Sequence, residues 1–297
     1  MQQIKPCPIH TYTFPDGKTL TVGKQTLIMG ILNVTPDSFS DGGKYDKLDT
    51  AVAHMKEMTA AGADLIDVGA ESTRPGSAAL TDAEEQARLL PMLEALLPAC
   101  PVPISVDTYH SATARIAAQM GAHILNDIWG LQYDGEPAGA MARVAAETGL
   151  PVIVMHNQHG KAYDGDVIAA MQAFFHRSLK LAHDAGIADE QIILDPGIGF
   201  GKDTATNLIV QQRLDELLTM NGVRYPLLFA ASRKRFIGDT LGLSVDERME
   251  ATGAAHVVAI TRGADMVRVH DVAPIARMCH MTDFLVGRRT YAPTETR

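Results

Sequence analysis

The stretch ILNVTPDSFSDGGKYD, residues 31–46, decides between the two common arrangements of parallel strands and helices. It begins as a buried strand, with Ile31 and Leu32, and turns polar at Asn33. A doubly wound open sheet of this length usually carries a glycine-rich dinucleotide turn after its first strand, whereas this position reads LNVTPD. The stretch therefore disfavours a doubly wound open sheet as the fold. It also raises the question of why one connector carries so many hydrogen-bonding groups.

Short apolar segments of the same kind recur along the chain, and each has the length of a strand buried on both faces. They cover residues 26–34, 64–72, 102–108, 123–128, 151–157, 191–197, 226–232 and 265–271. Longer segments with apolar residues at helical spacing separate them, and one opens with Thr81 and Glu84, a capping-box pair. Eight strands that alternate with helices, with no change of composition along 1–297, predict an α/β fold, a single (β/α)8 TIM barrel.

The N-terminal segment, residues 1–26, is predicted to add a short β-hairpin to this barrel domain. Strand-forming residues flank the turn Pro15-Asp16-Gly17, which is typical of a hairpin connection.

Composition limits the classes of function. The formal net charge of -9 over 297 residues argues against nucleic acid as a partner, because nucleic-acid binding needs a concentrated basic surface. No apolar run approaches the ~20 residues that cross a bilayer, and the start lacks the apolar core of a secretory signal. The three cysteines, Cys7, Cys100 and Cys279, are far apart and form no CxxC pair. We expect a cytoplasmic protein with no membrane partner.

Barrel enzymes place their active sites at the carboxyl ends of the strands, and here every strand ends in a polar group. Asp107, Asn126 and Asp195 end the third, fourth and sixth predicted strands. Two carboxylates and an amide in an apolar barrel mouth suit a flat heterocycle with N–H groups along one edge. The alternative is that each aspartate caps the helix that follows it.

Cations collect at the same rim. Arg74, Lys234, Arg268 and His270 point to an anion, most naturally phosphate or diphosphate, since Arg268 and His270 alternate with Val269 on one strand face. Rim salt bridges with the neighbouring aspartates are the alternative, favoured for Arg233 and Arg235 more than for Arg268 and His270.

Lys234 has a second possible role as a Schiff-base lysine of an aldolase, which needs a desolvated pocket to lower its pKa, and the flanking Arg233 and Arg235 would lower that pKa further. Two other motifs give weaker indications of function. DPGIGFGKD, residues 195–203, is not a Walker A loop, because it has Pro196 and Asp203 where that loop needs glycine and serine or threonine. His156 and His159 lack a third metal ligand at convincing spacing.

The residues of these segments, and their order along the chain, resemble the motifs of the dihydropteroate synthase family. The matching motifs are MGILNVTPDSFSDGG, DLIDVGAESTRPG, ISVDT, LNDIWG, VIVMH, ILDPGIGFGK, SRKRFIG and RVHDV, which span about 27–272. The resemblance implies a TIM-barrel transferase of folate biosynthesis, usually a homodimer and a target of sulfonamides. Such enzymes join 6-hydroxymethyl-7,8-dihydropterin diphosphate to p-aminobenzoate and release diphosphate with the help of Mg²⁺.

The resemblance also implies roles for individual residues. The pterin would be bound by Asp107, Asn126, Ile128, Met155, Asp195, Phe200, Lys234 and Arg268. Diphosphate would be bound by Asn33, Arg74, Arg268 and His270, with Asn33 as the metal ligand. The p-aminobenzoate position would be bordered by Thr73, Pro75, Phe200 and Ser232. Phe39 and Asp41 would lie on a mobile first loop, and the residues of the reaction itself would be Asn33, Phe39, Asp41, Lys234, Arg268 and His270.

Two alternative functions share part of this pattern. A methyltransferase that moves a methyl group from methyltetrahydrofolate to a corrinoid protein would share the pterin anchors, but it needs neither NVTPDSF nor the pair of Arg268 and His270. A non-catalytic pterin-binding paralogue is disfavoured because Asn33, Arg74 and Ser232 are all present. The chain departs from the family pattern at Ala230, at VGAES and in the loop 157–166, where the pocket shape is expected to change slightly.

Overall fold

The computed structural model describes residues 6–33, 44–70 and 80–292, with only the backbone for 44–47. Its main element is a sheet of eight parallel strands in the order β11-β12-β3-β4-β5-β6-β7-β8. A parallel bridge between Leu194 and Leu227 joins the two edges of the sheet. The predicted (β/α)8 barrel is therefore confirmed.

The strands and helices alternate as the sequence predicts. The barrel strands are β3 (Leu27–Asn33), β4 (Leu65–Gly69), β5 (Ile104–Asp107), β6 (Ile124–Asp127), β7 (Val152–Met155), β8 (Ile192–Asp195), β11 (Leu228–Phe229) and β12 (Met266–Val269). The helices of the described residues are α1 (Lys44–Ala60), α2 (Asp82–Leu96), α3 (Ser111–Met120), α4 (Ala140–Thr148), α5 (Val167–Ala185), α6 (Thr204–Gln212), α7 (Arg235–Leu241), α8 (Met249–Thr261) and α9 (Val272–Leu285).

Helix α2 begins with the capping box that its sequence predicts. The Thr81 hydroxyl accepts a hydrogen bond from the Glu84 backbone N–H at 3.3 Å, and the Glu84 carboxylate accepts one from the Thr81 backbone N–H at 2.9 Å. These two bonds satisfy backbone donors that a helix start otherwise leaves open.

The predicted N-terminal hairpin is present as β1 (His10–Thr13) paired antiparallel with β2 (Thr19–Val22). It covers the N-terminal mouth of the barrel. Its apolar side chains form one buried cluster with the lowest layer of the barrel interior, composed of Tyr12, Phe14, Leu20, Val22, Leu27, Met29, Leu65, Ile124, Ile153, Ile193, Leu228 and Met266. A second short antiparallel pair, β9 (Thr219–Met220) and β10 (Val223–Arg224), precedes β11.

Strand alternation decides which residues face the barrel interior. In β4, Leu65 belongs to the interior cluster, whereas Ile66 and Val68 belong to a cluster that includes residues of α1, α2 and α9. Because side chains alternate along a strand, Asp67 and Gly69 share the interior face with Leu65. The same two-residue period brings Asp107, Asn126, Asp195 and Arg268 to the inside.

No helix of the described residues is long and apolar enough to cross a membrane.

Candidate active site at the C-terminal rim

Strand register aligns one row of rim residues across four neighbouring strands. Asn33 pairs with Gly69, Gly69 with Asp107, and Asp107 with Asn126. A side chain at Gly69 would begin only 3.1 Å from the Asp107 Cβ, so the glycine leaves room for that carboxylate. Three of the predicted site residues therefore lie at one level of the rim.

Arg268 joins two carboxylates across this row. Its Nε lies 2.6 Å from Asp67 Oδ2 and its Nη2 lies 2.9 Å from Asp107 Oδ2. Burial lowers the pKa of Arg268, but Asp67 and Asp107 outweigh it and raise that pKa above the ordinary value. The rim salt bridges that the sequence favoured less for Arg268 therefore do form.

Asp67 also binds the rim amide. The Asn126 Nδ2 donates to Asp67 Oδ2 at 3.1 Å, so one carboxylate oxygen holds both Asn126 and Arg268. Asp67 is fully buried, and its other oxygen, Oδ1, has no hydrogen-bond partner among the described residues. It is a site residue that sequence reasoning missed, although strand alternation from Leu65 could have found it.

Asp195, Lys234 and Phe200 form the opposite side of the rim. The Asp195 carboxylate accepts a hydrogen bond from the Gly197 N–H at 2.7 Å. The Lys234 ammonium donates to the Ile198 carbonyl and lies 4.5 Å from the centre of the Phe200 ring, a cation–π distance.

The pKa of Lys234 is lowered to about 8, chiefly by burial, which disfavours the charged form. Asp195 and Asp107 oppose this change, whereas Arg268 adds to it. The lowered pKa and its main cause, burial, agree with the expectation for Lys234, whereas the flanking Arg233 and Arg235 are not among the causes. Arg233 is paired with Asp271 at 2.6 Å and Arg235 with Asp239 at 3.3 Å, so the salt bridges predicted for these two arginines do form.

Between these polar groups lies an apolar wall. Ile128, Met155 and Tyr109 form a buried cluster, and Phe200, Trp129 and Tyr133 pack against it. Three residues expected to line a pterin pocket, Ile128, Met155 and Phe200, are therefore brought together.

Ser232 and His270 form a separate pair. The His270 Nδ1 lies 2.9 Å from the Ser232 hydroxyl oxygen, and the His270 backbone N–H donates to the same oxygen at 3.2 Å. This contact joins the loop after β11 to the end of β12. Phe39, Asp41, Thr73, Arg74 and Pro75 lie outside the described residues.

Two polar residues at strand ends face away from this set. The Asp127 carboxylate accepts hydrogen bonds from the backbone N–H groups of Trp129 and Leu131, at 2.8 and 2.7 Å, and so caps a turn. His156 is buried, with its Nδ1 2.8 Å from the ammonium of Lys202. His159 instead lies on the surface, with its Nε2 3.3 Å from Asp134 Oδ2.

Lys202 is the second residue that sequence reasoning missed. It ends the motif DPGIGFGK but is only 3% exposed. Burial lowers its pKa to about 7, against the opposing effect of Asp195. The motif signalled a tight loop, and nothing in the sequence indicated that its lysine would point inward.

A group able to hold a cation occurs at another set of residues, Asp82, His110 and Glu136, whose ligand atoms lie within 4.8 Å of one another. Its members are already bonded within the protein. The His110 Nδ1 lies 2.8 Å from Asp82 Oδ1, and Glu136 accepts the Ser111 backbone N–H at 2.8 Å. Asn33, the predicted metal ligand, is not part of this group.

Comparison with known proteins agrees with this geometry. The family model described as pterin binding enzyme matches residues 29–270. The dihydropteroate synthase of Bacillus subtilis (strain 168) is 48% identical over 269 residues, covering 91% of this chain and 92% of that protein.

Two solved structures have the same fold. One is dihydropteroate synthase from Clostridium difficile in the presence of pteroic acid, with 44% identity, a TM-score of 0.84 and coverage of 89% of this chain and 98% of that one. The other is the Xanthomonas albilineans enzyme with 4-aminobenzoic acid, with 38% identity, a TM-score of 0.83 and coverage of 92% and 98%. The chain thus belongs to the dihydropteroate synthases, transferases of the pterin-binding enzyme family.

Proposed function

We propose that this enzyme condenses 6-hydroxymethyl-7,8-dihydropterin diphosphate with p-aminobenzoate, giving 7,8-dihydropteroate and diphosphate. The observation that carries the proposal is the connected set of Asp107, Asn126, Asp67 and Arg268 beside an apolar wall. Solved structures of relatives with pteroic acid, which contains a pterin joined to p-aminobenzoate, and with 4-aminobenzoic acid support this product and this amine substrate.

The polar set suits the pterin. Asp107 and Asp195 can accept N–H groups of the aminopyrimidine edge, and the Asn126 amide can donate and accept beside them. Ile128, Met155 and Phe200 would contact the ring faces, and the Lys234 ammonium would donate to a ring acceptor. Asp67 would act indirectly by fixing the orientation of Asn126 and Arg268.

The displacement is dissociative. The C–O bond to diphosphate breaks with its electron pair on the leaving oxygen, and the pterin ring spreads the positive charge left on the methylene carbon. The amine nitrogen of p-aminobenzoate then forms the C–N bond and loses a proton to diphosphate or water. A neutral arylamine needs no strong base, so the contact between Ser232 and His270 is not needed to generate a nucleophile.

Arg268, His270 and Arg74 would bind the diphosphate as its charge grows. Asn33 would hold Mg²⁺, because a neutral amide oxygen is a hard ligand of the kind that magnesium accepts beside substrate phosphates and water. When bound, the ion neutralises charge on the leaving group. Thr73, Pro75, Phe200 and Ser232 would border p-aminobenzoate, with Phe39 and Asp41 on the first loop closing over the reaction.

The decisive experiment is incubation with the pterin diphosphate, Mg²⁺ and p-aminobenzoate, with dihydropteroate followed by chromatography. Product should form, and it should be absent when p-aminobenzoate is left out. If the pterin diphosphate binds but no product forms, the proposal fails and the protein is a pterin-binding paralogue.

We further propose a homodimer that uses the surface of α8 and α9. Helix α8 is apolar on more than one face, with Ala255 and Ala259 buried and Val258 exposed, which is typical of a helix covered on both sides. On α9, Met281, Phe284 and Leu285 are exposed. Val258→Lys should shift the sedimentation coefficient from dimer to monomer, and an unchanged dimer would rule out this surface.

A further inference from the structure

Lys202 has an unusual environment for a buried charge. Its Nζ lies 2.8 Å from His156 Nδ1 and 3.0 Å from each of the carbonyl oxygens of Gly197 and Phe200. An ammonium has three donors and no acceptor, so each donor has one partner, and His156 Nδ1 must be the acceptor in its bond. Among the described residues no carboxylate forms an ion pair with it.

The loop that Lys202 ends satisfies only part of its own backbone, with one internal hydrogen bond from the Phe200 N–H to the Gly197 carbonyl at 3.0 Å. Gly197, Gly199 and Gly201 adopt φ values of +62°, +85° and +55°, so left-handed residues alternate along the loop. A side chain at Gly197 would begin 2.0 Å from the His156 carbonyl oxygen. Its other buried carbonyls need side-chain donors. Lys202 donates to the Phe200 carbonyl and adds a second donor at Gly197, and Tyr163 donates to the Gly201 carbonyl over 2.9 Å.

The same loop carries the residues of one side of the site. Asp195 precedes it and binds the Gly197 N–H, while the Ile198 carbonyl accepts a hydrogen bond from Lys234. The Phe200 ring packs against the cluster of Ile128 and Met155 on one side and approaches the Lys234 ammonium on the other. The position of the ring is thus set by the loop backbone, which Lys202 holds at Phe200 itself.

We propose that Lys202 is a positioning residue for the pterin site: it ties His156, at the end of β7, to the carbonyls of Gly197 and Phe200 and thereby fixes the Phe200 ring. The inference rests on the proposed function, because it assigns Phe200 to pterin binding. Lys202 itself contacts no reacting atom in this mechanism. In this proposal its effect on affinity passes through Phe200, rather than through Asp195 or Lys234, which contact the same loop.

A double-mutant cycle tests that route. Affinity for the pterin diphosphate is measured by calorimetry for wild type, Lys202→Met, Phe200→Ala and the double variant. Lys202→Met keeps the length of the side chain and removes its donors, so we expect about a tenfold loss of affinity. Phe200→Ala should lose about the same. The double variant should bind no more weakly than Phe200→Ala alone.

Lys180→Met is the matched control, because Lys180 lies on the surface paired with Asp184 at 2.6 Å and should leave affinity unchanged. Multiplied losses in the double variant, about a hundredfold in total, would overturn the proposal and indicate a general structural role. Unchanged affinity in Lys202→Met would overturn it too.

His156→Phe provides a second variant that does not depend on the folding of Lys202→Met. The His156 ring centre lies 4.8 Å from that of Phe174, and a phenylalanine ring can keep this packing while it lacks the acceptor nitrogen. We expect a smaller loss of affinity than for Lys202→Met, again with no further loss when combined with Phe200→Ala. An additive effect would contradict the proposal. Formation of dihydropteroate by the wild type tests the proposed function separately, so the two ideas can fail independently.

Discussion

The two mouths of the barrel contain similar charged residues in different surroundings. At the N-terminal mouth, Arg224 lies 2.7 Å from Asp265, and both are almost fully buried. Arg224 also donates to the Gly263 carbonyl at 2.7 Å, and Asp265 accepts the Leu227 N–H at 3.0 Å. These charges are therefore bonded to the backbone of the barrel itself, below a hairpin that covers this end.

At the C-terminal mouth, the corresponding ion pairs connect side chains to one another. Arg268 binds Asp67 and Asp107, Asn126 binds Asp67, and the remaining oxygen of Asp67 has no described hydrogen-bond partner. Groups held this way can change partners when a ligand arrives. The contrast supports our proposal that the C-terminal charges serve recognition, while the N-terminal charges serve stability, as barrel enzymes generally divide these tasks.

Loss of Arg268 should have the largest effect on activity. Arg268→Gln removes the cation that faces the developing charge of diphosphate, so kcat/KM should fall about 10³-fold. Steady-state kinetics on protein shown to be folded by circular dichroism measures this. Arg115→Gln is the control, because Arg115 is a surface arginine paired with Glu147, and it should leave kcat/KM unchanged. A fall in kcat/KM of less than tenfold would show that Arg268 does not stabilise the charge that develops on diphosphate.

Loss of Arg224 should mainly affect folding. Arg224→Met removes the partner at 2.7 Å from the buried Asp265 and leaves it only Arg288 at 3.7 Å, which should lower the free energy of unfolding by about 3 kcal/mol. Urea denaturation measures this change, and kcat/KM of the folded fraction should stay near the wild-type value. If activity fell while the free energy of unfolding did not, the division between the two mouths would be wrong.

Asp107→Asn should act on pterin binding, with an effect smaller than that of Arg268→Gln. The neutral amide keeps the shape but loses an acceptor for the pterin edge and the charge that pairs with Arg268, so affinity for the pterin diphosphate should fall about tenfold or more. Calorimetry gives the affinity. Asp166→Asn, at an exposed helix cap on α5, should not change it. Equal affinities for Asp107→Asn and wild type would exclude Asp107 from the pocket.

The smallest effect concerns pH. The pKa of Lys234 is about 8 instead of its ordinary 10.5, so its ammonium form is present below pH 8 and is lost as the pH rises. Because kcat/KM reports groups of the free enzyme, it should decline above about pH 8, by up to tenfold per pH unit. Lys234→Arg, which keeps its proton, should remove the decline even if it lowers the plateau. A decline that persists in Lys234→Arg would assign it to another group.

The regular part of the fold was predictable from local patterns. Apolar runs of strand length, helical spacing between them and the Thr81–Glu84 capping pair each reflect interactions over a few residues. Strand alternation then placed Asp107, Asn126, Asp195 and Arg268 on the inside, because a parallel barrel has only two faces.

The contacts within the site were less predictable, since they join residues far apart in the chain. Arg268 and Asp67 are separated by 201 positions, and Lys202 and His156 by 46. The lowered pKa of Lys234 is another example. Its sequence neighbours Arg233 and Arg235 are bound to other acids, while burial and distant charges control its protonation.

The sequence by itself thus determined the barrel, its family and the set of polar residues at the C-terminal rim, because these depend on short-range periodicity and on motifs. Only the tertiary structure decided that Asp67 holds Asn126 and Arg268 together, and that Lys202 turns inward to hold the loop of Phe200. Both depend on which strand ends become neighbours when the barrel closes. Hydrogen bonds and desolvation act between neighbours in space, whatever their separation along the chain.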